Sequence, residues 1–120
     1  MARFFNNKKV ELLAPAGTME TFKCLVKANC DAIYLGGKSL NMRIIRKGFN
    51  LSDDEIAEAV MMAHETDKKI YVTVNNMLNE YEIGEAAEYL QFLDNIKVDG
   101  IIIQDMSILQ LCKEQKLRNF

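Results

Sequence analysis

The sequence predicts an α/β protein whose strands and helices alternate as βαβαβαβα. Three observations carry this. Short, nearly continuous apolar runs recur at Ala32–Leu35, Ile70–Val74 and Gly100–Ile103, as in parallel strands covered on both faces. Between them lie amphipathic stretches with helical spacing. Helix-capping residues stand at the start of three of the four helical stretches, Thr18, Ser52 and Asp105. Strict alternation implies a parallel sheet with right-handed crossovers.

The first strand is expected at Val10-Glu11-Leu12-Leu13-Ala14, stopping before Pro15, which cannot donate to a ladder. Thr18 then caps a helix running to about Asn29, with Met19, Phe22, Leu25 and Val26 on one face. The second strand, Asp31 to Gly37, ends in two glycines that allow a sharp turn or close ligand approach. After the loop comes Ser52-Asp53-Asp54-Glu55, a capping box, with Leu51 and Ile56 at the hydrophobic-staple positions. That helix fades near Thr66-Asp67, and Met61 and Met62 read as core filling. Ile70-Tyr71-Val72-Thr73-Val74 is β-branched and aromatic, the clearest strand of the chain. A third helix spans roughly Glu80 to Asn95, a fourth strand Gly100 to Ile103, and Asp105 opens a fourth helix carrying Ile108, Leu111 and Cys112. Asp31 and Asp99 each precede a small residue and an apolar run, a faint internal echo.

Composition narrows the classes. With 120 residues, 49% of them hydrophobic, the chain suits one domain: a polar lead-in over residues 1–9, then four βα units over 10–120. A net charge of −2 supplies no global field for nucleic acid, so an anion site must be local. The expected location is cytoplasmic and off the membrane: the start lacks a signal-peptide apolar region, and no run nears ~20 apolar residues. Cys24, Cys30 and Cys112 form no C-x-x-C pair, which suits small buried thiols rather than a metal site. Phosphate-loop and dinucleotide fingerprints are missing from the sequence.

Candidate functional residues cluster where parallel α/β folds place chemistry, at strand C-termini. The stretch from Gly36 to Phe49 holds Lys38, Arg43, Arg46 and Lys47 and no acidic residue, a local cation cluster that suits phosphate or carboxylate, or else a solvated loop. Asn75 and Asn76 can orient a substrate through amide hydrogen bonds, though turn chemistry also favours asparagine there. Asp105 reads as a helix cap or a polar site residue. Glu11 stands apart, within the expected first strand, and serves function, a structural ion pair or an outward placement. His64, the one histidine, reads as ordinary helix surface or satisfied core.

The segments Glu11-Leu12-Leu13-Ala14-Pro15-Ala16-Gly17, Asp31 to Gly37, Met42-Arg43 and Phe49, Tyr71 to Asn75, and Asp99 to Asp105 together resemble the N-terminal part of the collagenase-like peptidases, peptidase family U32. The resemblance covers Val10 to Glu114. It implies a β/α barrel of the triose-isomerase type, of which these four units are half. It also implies a parent protein acting either as a peptidase or in hydroxylation of RNA bases. It carries onto Arg43, Asn75 and Asp105 as strand-end polar positions, without assigning them a catalytic role. Some members carry an iron–sulfur cluster held by cysteines, but the family's glutamate–phenylalanine signature and cysteine cluster are not in this sequence, so no cofactor is expected in this chain. RNA hydroxylation is the favoured expectation, since a cationic loop suits a polyanion. A peptidase, or a non-catalytic self-associating fragment, is the alternative. Half a barrel leaves its first and fourth strands as open edges, from which homo-oligomerisation is expected.

Overall fold

A computed structural model of the chain describes residues 3–38, 40 and 50–120. An antiparallel hairpin, β1 (Phe4–Phe5) and β2 (Lys8–Lys9), precedes the main sheet, its turn made by Asn6 and Asn7 at positive φ. There follow β3 (Leu13–Pro15), α1 (Met19–Val26), β4 (Ala32–Gly36), α2 (Asp53–Glu65), β5 (Lys69–Val74), a 3-10 turn (Glu80–Glu82), α3 (Ile83–Asn95), β6 (Gly100–Ile103) and α4 (Met106–Glu114). The main sheet is parallel, ordered β3-β4-β5-β6, so each unit lies beside its sequence neighbour and the sheet stays open at β3 and β6.

The helices begin where their chemistry dictates. Thr18 accepts the Thr21 amide. Ser52 accepts the Glu55 amide while the Glu55 carboxylate accepts the Ser52 amide, and Leu51 and Ile56 are both fully buried beside this reciprocal cap. Ile33, Leu35, Ile70, Val72 and Val74 alternate onto one face of the sheet and join Phe22, Ile56, Val60, Leu90, Leu93 and Ile108 in a single core. The opposite parity puts Leu13, Pro15, Tyr34, Tyr71 and Ile102 on the inner face.

The register repeats every two strands. Asp31 donates its amide to Leu12 O and accepts the Leu12 amide on its carboxylate. Asp99 does the same with Ile70. Beyond these brackets Leu13 pairs with Ala32 as Tyr71 pairs with Gly100. The sequence echo at Asp31 and Asp99 is thus a device in which a carboxylate closes the end of a ladder that the backbone alone would leave open.

Several expected boundaries shift. The first strand is Leu13–Pro15, not Val10 to Ala14, and it includes the proline. Ala16 donates to Tyr34 O, so by alternation Pro15 turns its missing N–H toward the open edge, where no ladder partner is lost. The first helix closes at Val26 rather than Asn29. Met61 is 61% exposed, on the outer face of α2, and only Met62 packs against the core. Of the thiols Cys30 is buried, Cys112 half-buried and Cys24 exposed, and Cys30 lies in the turn before β4.

Candidate functional site

At the C-terminal end of the sheet the chain leaves β4 through Gly37, whose backbone bridges to Leu51 at the foot of α2. A Cβ on Gly37 would fall inside the contact radius of the Tyr89 hydroxyl, so a larger residue there would force the Tyr89 ring of α3 to shift. That hydroxyl is buried without a hydrogen-bond partner among the described residues, and burial, aided by Asp53, pushes its pKa upward. Lys38, next in the chain, is exposed. Arg43, Arg46 and Lys47 lie outside the described residues.

After β5, Asn75 and Asn76 are half-buried, and the Asn76 Oδ1 is buried without a partner among the described residues. Asp105 spans two loops at this end. Its Oδ1 accepts the Ser107 amide as the α4 cap, and its Oδ2 accepts the Leu78 amide from the loop after β5, at 2.9 Å each. Those hydrogen bonds, Leu78 foremost, hold its carboxyl below the usual range. Tyr81 stands 95% exposed on the 3-10 turn, which Asn79 caps by accepting the Tyr81 and Glu82 amides.

The N-terminal end is more heavily charged. A concavity of about 650 Å3 there is lined by Lys9, Glu11, Asp31, His64, Asp67, Lys68, Lys69 and Asp99. Asp31 pairs with Arg3 and, at 3.2 Å, with Lys9, so it ties the hairpin to the sheet. Its carboxyl is held far below the ordinary carboxylate range, by the Leu12 amide first and Arg3 second. His64 Nε2 lies 2.8 Å from Asp99 Oδ2. Glu11 precedes β3 instead of lying within it. Exposed, it accepts the Tyr71 hydroxyl at 2.7 Å and meets Lys69 at 3.5 Å. Burial first, and Glu11 second, push the Tyr71 phenol up to about 12.

The structure therefore brings Lys38, Asn75, Asn76 and Asp105 to one end and leaves Glu11 and His64 at the other. Tyr71, Tyr81 and Tyr89 were not singled out by the sequence. Only the exposure of Tyr81, and the pairing of residues 60 apart in the chain, distinguish them. The three cysteines are scattered over α1, the turn before β4, and α4, and Cys30 Sγ is turned to Leu25 O. Among the described residues no group of three or more His, Cys, Asp or Glu side chains is placed to hold a metal ion, so the residues present do not fit an iron–sulfur cluster. No described helix is long and apolar enough to cross a membrane.

Four parallel βα units in sequential order, with polar groups gathered at the strand C-termini, define a partial β/α barrel. The model of peptidase family U32 matches residues 17–119, and the chain belongs to that family. It is 36% identical over 109 residues to an uncharacterized protease of Methanocaldococcus jannaschii, covering 91% of this chain and 26% of that protein. To the tRNA hydroxylation protein P1 of Bacillus subtilis it is 38% identical over 106 residues, covering 88% of this chain and 25% of that protein. The fold superposes on the U32 peptidase Mk0906 with a TM-score of 0.68 at 11% identity, covering 93% of this chain and 48% of that one. The chain thus spans about a quarter of the length of these curated relatives.

Proposed function

We propose that this chain supplies the first four βα units of a U32-type barrel that acts on RNA in base hydroxylation. The observation that carries the reading is its 38% identity to a tRNA hydroxylation protein, one of several relatives so named. The chemistry at hand agrees with it. The chain's one histidine is engaged with Asp99 at the N-terminal end, away from Asn75, Asn76 and Asp105, so a histidine-activated nucleophile has no support at the strand exits. In this reading Lys38, Arg43, Arg46 and Lys47 hold phosphates, Asn75 and Asn76 orient a base through their amides, and Asp105 keeps the two loops in place.

Filter binding of a single-stranded tRNA fragment across a salt series tests this. The expected log–log slope is near −0.7 per phosphate neutralised, and Arg43→Ala with Arg46→Ala should reduce it by about two contacts. Equal binding by both proteins, or binding by neither, removes the loop from the account. Proteolysis is the second reading, favoured by the likeness to the archaeal protease. Gelatin cleavage by the 120-residue chain would favour it. The expected result is no turnover of either substrate, because reacting groups need half a barrel more to be held in place.

A further inference from the structure

We propose that the rim formed by the loop after β5 and the start of α4 is a docking surface for a basic protein segment, one that sets an arginine or lysine beside an aliphatic anchor. The inference goes beyond the RNA reading and does not rest on it.

Three large apolar side chains stand in solvent here: Met77 is 64% exposed, Tyr81 95% and Met106 65%. Asp105 holds them to one neighbourhood. Its carboxylate takes the Leu78 amide on one oxygen and the Ser107 amide on the other, so Met77 and Met106, the residues just before these, lie on adjoining stretches of chain. Tyr81 sits on the 3-10 turn, whose start is fixed by the reciprocal hydrogen bonds of Asn79 and Glu82. Singly, exposed apolar residues mean little, but three fastened in this way form a surface built before a partner arrives, which lowers the ordering cost of binding. Tyrosine and methionine are also among the residues enriched in protein interfaces. The exposure does not come from the open ends of the sheet. Met77 and Tyr81 belong to the unit of β5 and α3, which has β4 on one side and β6 on the other. A strand added to this sheet joins at β3 or β6, not beside β5.

Charge selects the partner. From Ile70 to Ile96 the chain has no lysine or arginine, while Glu80, Glu82 and Glu85 flank Tyr81 in the sequence. Glu80 and Glu85 are exposed and take part in no ion pair among the described residues. An arginine laid on the open face of Tyr81 gains both the ring and these carboxylates. A phosphate brought to the same place meets like charge instead, so the surface suits a basic protein rather than a nucleic acid. The cations that suit phosphate follow β4, one strand away.

Fluorescence anisotropy of the full chain with two labelled peptides tests this. One peptide is made of arginine and leucine at helical spacing, and the other has glutamate in place of each arginine. The arginine peptide is expected to bind at least about tenfold more tightly than the glutamate peptide. Tyr81→Ala should weaken its binding about tenfold or more, with an unchanged circular dichroism spectrum because the ring is exposed. Glu80→Gln together with Glu85→Gln should weaken it too and flatten its salt dependence. Equal binding of the two peptides, equal binding by wild type and Tyr81→Ala, or no binding of either peptide would overturn the proposal. A single-stranded tRNA fragment whose binding falls with Tyr81→Ala while peptide binding holds would assign the ring to a base and overturn it as well.

Discussion

Asp31 and Asp105 are both aspartates with depressed pKa values, at opposite ends of the same sheet, and their surroundings differ in kind. Asp31 gathers the Leu12 amide, Arg3 and Lys9, joining three segments of chain. Asp105 receives the amides of Ser107 and Leu78. Around Asp31 stand the hydrogen bond of His64 with Asp99 and the ion pair of Lys69 with Glu11. Near Asp105 stand the Ser107 and Leu78 amides, with the exposed Tyr81 on the turn that follows Leu78. One end is tied together by ion pairs between separate segments, the other by backbone amides gathered on one carboxylate. In β/α barrels generally the N-terminal face carries stability and the C-terminal face chemistry.

The largest effect is expected where the contrast is sharpest. Asp31→Asn should lower the urea midpoint more than Asp105→Asn, since it frees the hairpin as well as a ladder end. Because the folded pKa of Asp31 lies below its ordinary 3.8, its contribution is fully present above that pH and is lost as pH falls through the folded value. The gap between wild type and variant should hold from neutrality to about pH 4 and close below it. Equal midpoints at neutral pH would end the contrast. Next comes Gly37→Ala, which should cost about 1–3 kcal/mol by overpacking against Tyr89. Tyr89→Phe in the same chain should recover most of it, a coupling that a double-mutant cycle reads directly. Ser52→Ala should cost about 1 kcal/mol through the lost cap of α2. Smallest of all, Tyr81→Ala should leave stability within about 0.5 kcal/mol while weakening RNA binding if the exposed ring stacks on a base.

Local signals survived into the structure and directional ones did not. The Ser52–Glu55 box and the bounds of β6 were legible because their partners lie within a few residues. Pro15 was misread because its tolerance depends on which side of β3 faces β4, a property of the sheet and not of the segment. Met61 looked like core because adjacent methionines share composition but not a helix face. Glu11 found Tyr71, and Asp31 found Arg3, across separations that no local pattern encodes. Of the expected site, Asn75, Asn76, Asp105 and Lys38 were legible by position at strand exits, whereas the shared hold of Asp105 on Leu78 needed the folded chain.

The sequential strand order has a consequence for how the molecule opens. Each βα unit leans only on its immediate neighbours, so the sheet behaves like a short stack that loosens from its ends. Amide protons of Ile33 to Leu35 and Ile70 to Val72, flanked on both sides, should exchange with solvent last, and those of β3 and β6 first. Closure of the ring would flatten that gradient, because a stack with no ends has nowhere to begin fraying.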